Sequence, residues 1–137
     1  MTSQLNVDTI KGNETAGSIT IQGEGSKTTN LQQGLVKVWC FATEAAALTD
    51  SFNMTSGTDN GTGDYSFTIA NNMNNATYAI LNTVESTVST HPVANANVAS
   101  DATTTTLYRV HHAWVNTSDG FEDLDRDNYH AVVGDLA

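Results

Sequence analysis

Between Asp50 and Ala79 the chain reads DSFNMTSGTDNGTGDYSFTIANNMNNATYA, two stretches of alternating apolar and polar residues separated by a cluster of turn-formers. Phe52 and Met54 alternate with polar neighbours; Gly57, Asp59-Asn60-Gly61, Gly63 and Asp64 supply turn chemistry; Tyr65, Phe67 and Ile69 resume the alternation. A period of two places successive side chains on opposite faces of an extended strand. Asn-Gly inside such a frame signals a hairpin, because both residues tolerate the positive φ that a tight turn demands. The block reads as one complete β-meander, and the chain as all-β.

The remaining segments extend that reading. Leu31 to Phe41 opens the main domain, with Val36, Val38 and Cys40 on one face and Lys37, Trp39 and Phe41 on the other. Apolar residues on both faces predict a central strand covered on two sides. Glu44-Ala45-Ala46-Ala47 is the one convincing helix-forming stretch, too short for more than a turn or two. Tyr78 to Val84 continues as a strand, Leu107 to Val115 places Tyr108, Val110, His112 and Trp114 on one side, and Tyr129 to Leu136 closes the sheet. Residues 86–106 read as a long polar loop or edge strand, and Asp119 to Asn128 as an acidic loop. Roughly seven strands with polar turns predict a β-sandwich of jelly-roll type.

Residues 1–30 form a separate N-terminal β-arm in this scheme, and 31–137 the sandwich domain. The arm carries two short apolar alternations, Leu5 and Val7 with Ile10, then Ile19 and Ile21, separated by glycines. So small a strand pair is marginal alone in water and needs a partner surface. Equivalent strands of neighbouring subunits would supply one, and an ordinary edge hairpin is the simpler alternative.

At 137 residues the chain has the size of one modest core. Five basic against fifteen acidic residues, a net charge of −10, argue against nucleic acid as a partner, because contacts to phosphates need clustered Lys and Arg. The N-terminus lacks the basic and apolar regions of a signal peptide, and no segment is apolar enough to insert in a membrane, so folding in a cytoplasm is expected. Asn-x-Ser/Thr triplets at Asn53 and Asn116 then read as accidents of composition. Cys40 is the single cysteine and lies between Trp39 and Phe41, which suits a small buried side chain.

Chemistry has little foothold in the sequence. Asp123, Asp125 and Asp127 alternate along the acidic loop, a spacing that aims several oxygens at one cation, although Asn128 and Gly134 stand where an EF-hand requires glycine and glutamate. They are weak metal candidates, and neither a metal nor a cofactor is expected. His111 and His112 are adjacent, so on a strand they face opposite ways and cannot chelate one ion together. A site would have to recruit His91 or His130. There is no nucleophile elbow and no activated-cysteine context, and no catalytic residue is assigned. Of the aromatic residues able to stack on sugars, Trp39, Trp114, Tyr65, Tyr108 and Tyr129, core packing suits most. Receptor-facing positions are instead expected in loops, at Asp59, Asn60 and Asp64, at His91, and at Asp119, Asp123, Asp125 and Asp127.

The segment SFNMTSGTDNGTGDYSFTIANNMNNATYAILN resembles a module found repeatedly in bacteriophage tail-fibre and other virion surface proteins, particularly of marine and cyanobacterial phages. LNVDTIKGNETAGSITIQGEG looks like the N-terminal strand repeats of fibre proteins, LQQGLVKVWCFA like the module's opening strand and HAVVGDLA like its closing strand. The resemblance implies a non-enzymatic structural protein of a virion assembled in a host cytoplasm. It further implies a homotrimer with interwoven N-terminal strands, contacts to other virion proteins, and loops displayed towards a host-surface glycan or protein. Tail-fibre chains are usually much longer, which keeps a capsid decoration or head-knob protein as the alternative. A free carbohydrate-binding module or small hydrolase follows behind, and an intracellular metal-binding protein last.

Overall fold

The computed structural model describes residues 4–13, 19–22, 25–85, 96–98, 103–116 and 120–137. Two compact units divide at the Leu35/Val36 junction. In the first, strands β1 (Thr20–Gln22) and β2 (Thr28–Asn30) form an antiparallel hairpin. One helical turn, α1 (Leu31–Gly34), follows, with the Leu31 amide donating to the Ile19 carbonyl at 2.9 Å. The strand expected around Leu5 to Ile10 does not form. Leu5, Val7 and Ile10 are exposed and carry no strand pairing among the described residues.

The second unit is an all-β sandwich. Strands β3 (Val36–Ala42), β4 (Leu48–Phe52), β7 (Ala79–Val84) and β11 (Asn128–Val133) make one antiparallel sheet in the order β4-β3-β11-β7. Strands β5 (Met54–Gly61), β6 (Asp64–Ile69), β9 (Leu107–Asn116) and β10 (Gly120–Asp123) make the other, in the order β10-β9-β6-β5, with β8 (Ala96–Val98) also paired to β9. These orders do not establish jelly-roll connectivity. The core lies between the sheets: Val38, Cys40, Ala42 and Val132 from one meet Tyr65, Phe67, Ile69, Tyr108 and Val110 from the other. The alternations of β6 and β9 fall on the faces that their period of two predicts.

Three expectations fail for identifiable reasons. The Asp50–Ala79 block is not a single meander, because β4 pairs with β3 whereas β5 pairs with β6 across the sandwich. The change of sheet happens at Asn53, whose φ is 59°. Its side-chain amide donates to the carbonyls of Lys37 (3.0 Å) and Asn71 (3.3 Å), and its Oδ1 accepts from the Asn71 amide at 2.7 Å. The tight turn of the β5-β6 hairpin sits at Thr62-Gly63 and not at Asn60-Gly61, since Gly61 already pairs with Asp64. In β3 the expected faces of Val36 and Lys37 exchange. The register with β11 skips Lys37, leaving Val36 exposed and Lys37 only 4% exposed.

Other departures are smaller. Residues 43–47 form a turn instead of a helix, with Ala46 in the left-handed region at φ 58°. Part of the acidic loop is the strand β10, and β11 lies inside its sheet between β3 and β7.

Candidate functional site

The acidic segment after β9 is the part of the sandwich where the sequence placed most of its candidate chemistry. Its three alternating aspartates do not converge. Asp123, at the end of β10, reaches His111 Nε2 at 3.5 Å. Asp125 Oδ1 accepts from the Gly63 amide at 2.7 Å and from the Tyr65 hydroxyl at 2.8 Å. Asp127 Oδ1 accepts from the Glu44 amide at 2.9 Å, and its carbonyl accepts from the Glu85 amide at 2.8 Å. Three carboxylates turned to separate partners make a clasp, and no group of three side chains that could hold a metal ion occurs among the described residues. Sequence spacing gave the alternation; it could not give the local path that sends each side chain elsewhere.

The clasp closes on a point where backbone is crowded. The His112 amide donates to the Gly63 carbonyl at 2.6 Å and the His112 carbonyl accepts from the Leu124 amide at 3.2 Å, so β6 and β10 meet the same edge of β9 there. Gly63 has φ +70°, and a Cβ on it would stand 2.3 Å from the His112 carbonyl oxygen. Only glycine satisfies both constraints.

Beneath the clasp the interior is polar. His112 and His130 are 0% and 4% exposed. Asn82 Nδ2 lies 3.1 Å from His112 Nε2. His130 Nε2 bonds Asn128 Oδ1, whose amide donates to the Arg126 carbonyl at 2.9 Å. Burial holds the His112 imidazole down at about 4, reinforced by His111 and opposed by Asp125. Burial likewise holds His130 at about 3, with His112 adding to it. The Nδ1 atoms of both rings lack a hydrogen-bond partner among the described residues. Both rings are therefore neutral and packed against aromatic neighbours, His130 against Phe67 and Tyr108, His112 against Tyr65. Two neutral imidazoles held this way pack as core groups.

Cys40 belongs to the same interior, 3% exposed, with Sγ 4.0 Å from the Tyr108 hydroxyl. Burial pushes its thiol up to about 11, far from a thiolate at neutral pH. At the Asp127 end of the clasp, Glu44, Glu85, Arg126 and Asp127 line an open pocket of about 260 Å³. Three carboxylates around one guanidinium make it net negative, able to attract small cations or a basic side chain.

The outward faces of the two sheets differ. On the β6-β9 side Asp64, Ser66, Arg109 and His111 point out, with Arg109 donating through two nitrogens to both carboxylate oxygens of Asp64. That pairing holds the Asp64 carboxyl below the usual range. Asn60 joins this ladder through Ser66 Oγ at 2.8 Å, and Asp59 is exposed beside it. On the β3-β11 side the outward residues include Trp39 (42% exposed), Phe52 (53%), Leu81 (57%) and Tyr129 (47%), the last stacked on Phe41 at 4.7 Å. Of the candidate sugar-stacking residues, Tyr65 and Tyr108 are thus buried, Trp114 is half-buried, and Trp39 and Tyr129 stand on a sheet face and not in a loop. Phe52 and Leu81 read in the sequence only as strand residues and not as part of an exposed face; the signal for that face was the double apolar patterning of β3. His91 and Asp119 lie outside the described residues. Neither a known family, nor a curated protein sequence, nor a solved structure matches this chain.

Proposed function

We infer that this protein is a non-enzymatic structural component of a phage virion, tail-fibre-like or a spike or knob, which assembles as a homotrimer and displays loops towards a host surface. The observation that carries the reading is the first unit, where Leu5 (78% exposed), Val7 (53%), Ile10 (57%) and Ile21 (53%) present apolar side chains that the unit's small hairpin leaves uncovered. A segment of that kind gains stability by contributing strands and apolar contact to neighbouring copies. Threefold display then multiplies weak contacts at each loop into useful avidity. Asp59, Asn60, Asp64 and Asp123, expected in loops, lie instead on strands β5, β6 and β10, and with Arg109 and His111 on β9 this polar outward ladder supports a solvated recognition surface on the sheet. The resemblance of residues 51–82 to virion surface modules supports the setting.

Electron microscopy of virions labelled with antibody against this protein tests the reading. Label on fibres or the tail tip is the expected result. Label over the head would make the protein a capsid decoration or knob, with the first unit as its anchor, and unlabelled virions would sink both versions. Substituting Leu5 and Val7 together by serine should abolish trimer formation while leaving the circular dichroism of the sandwich unchanged.

A further inference from the structure

We propose that the outward face of the β4-β3-β11-β7 sheet is an interface on which two copies of this chain pair face to face. Strand register aligns its side chains in rows. Phe52, Trp39, Ala131 and Leu81 form one row across all four strands; Asp50, Phe41, Tyr129 and Thr83 form the next; Val36, Val133 and Ala79 form a third. Asp50, on the outer strand β4, is the one charged residue in these rows. The outward face of the other sheet is polar along β6 and β9, where it carries Asp64, Ser66, Arg109 and His111, and its exposed large apolar side chain is the isolated Phe121 on β10.

The area fits a pair of copies. A large side chain carries on the order of 150–250 Å², and Trp39, Phe52, Leu81, Tyr129 and Val36 are each about half exposed. One copy then offers about 500 Å² of apolar surface and two copies about 1,000 Å², where specific interfaces begin. A contiguous apolar patch of this size also lies at the upper end of what monomers leave uncovered.

The rows are self-complementary. A twofold axis running along the strands, midway between β3 and β11, exchanges the two strands without shifting the register. Because Trp39 and Ala131 are register neighbours, the operation lays each indole over the partner's Ala131, the smallest side chain in its row. It also sets Phe52 over the partner's Leu81 and Phe41 over the partner's Tyr129. Asp50 faces the partner's Thr83, so like charges do not meet. The indole over the alanine relieves the crowding at the centre of the face, while the Phe52–Leu81 and Phe41–Tyr129 pairs fill the usual spacing of about 10 Å between packed sheets. A glycan would need a ring of hydrogen-bonding groups around the aromatics, and the row of Phe52, Trp39, Ala131 and Leu81 offers one side-chain donor, Trp39 Nε1. The net charge of −10 on each copy opposes association, so added salt should tighten the pair.

Sedimentation velocity of the full chain tests this, with protein up to about 100 μM at low and high salt. The chain should associate, more strongly at high salt. Leu81→Glu on the outer strand β7 and Trp39→Ser on β3 should each weaken this association roughly tenfold or more, with unchanged circular dichroism, and the Leu5/Val7 serine variant should still pair through the face. Association indifferent to Leu81→Glu and Trp39→Ser would overturn the proposal, as would a chain that stays monomeric at high salt. Soluble polysaccharide that changes tryptophan emission in a monomeric chain, and no longer does so in Trp39→Ser, would also overturn it, by assigning the face to a sugar. Loss of assembly in the Leu5/Val7 variant alone would refute the face pairing and leave the virion reading standing; unlabelled virions would do the reverse.

Discussion

Asp125 shows how a residue that looks like a ligand can be a structural acceptor. Its Oδ1 receives the Gly63 amide and the Tyr65 hydroxyl, two donors that the fold would otherwise leave unsatisfied. An orphaned buried donor costs about 1–3 kcal/mol. Asp125→Ala should therefore lower stability by about 2–3 kcal/mol, and Asp125→Asn by less, because the amide oxygen still accepts. Urea denaturation of both variants checks the order, and an equal loss in the two would refute the account. Calcium should not protect the wild type in the same experiment, since Asp123 and Asp127 are turned to His111 and to the Glu44 amide. The alternate spacing of the three carboxylates was legible in the sequence. Their divergence was not, because it depends on Gly63 and on residues 44 and 85 arriving from other parts of the chain.

At the scale of elements, Asn53 decides which sheet the chain enters. Its positive φ makes the corner between β4 and β5, and its side chain ties that corner to Lys37 and Asn71. Asn53→Gly keeps the backbone freedom and loses the ties, costing about 1–2 kcal/mol. Asn53→Ala loses both and should cost about 1 kcal/mol more; the difference between the two melting curves measures the corner's conformational term. Periodicity made β6, β7 and β9 readable, because each has one face against the core. The change of sheet between Phe52 and Met54 is invisible to it, since the alternation continues unbroken through the corner. Register irregularities escape for a similar reason: the skip at Lys37 exchanges two side chains between faces without altering composition. On the outward face of β3, patterning correctly reported apolar residues but attributed them to a second covering layer, a deduction the other sheet cannot satisfy because it packs against the inward face.

For the whole molecule, acid is the vulnerable direction. His112 and His130 hold values of about 4 and about 3 in the folded chain against an ordinary value of 6.5. Between 6.5 and those values the unfolded chain binds more protons, so stability is full above pH 6.5 and is lost progressively as pH falls. The buried imidazoles contribute losses of about 3 kcal/mol for His112 and about 5 kcal/mol for His130 across those windows. Asp64, held low by Arg109, adds a further loss in the same direction below the ordinary carboxylate range. Urea midpoints should stay level from pH 8 to about 6.5 and then decline towards about pH 4. His130→Gln should flatten that slope even though its midpoint at neutral pH is lower, and a slope unchanged from wild type would assign the acid lability elsewhere.

The unlike outward faces make the sandwich an amphiphile on the scale of a domain, more polar on its Asp64 and Arg109 side, despite Phe121, and more apolar on its Trp39 and Leu81 side. Such a body orients wherever water ends. At an air–water boundary, on plastic or against an apolar sheet of another molecule, it turns the same side down each time and presents the same polar side outward. Orientation on a surface is thereby written into the strand register of one sheet.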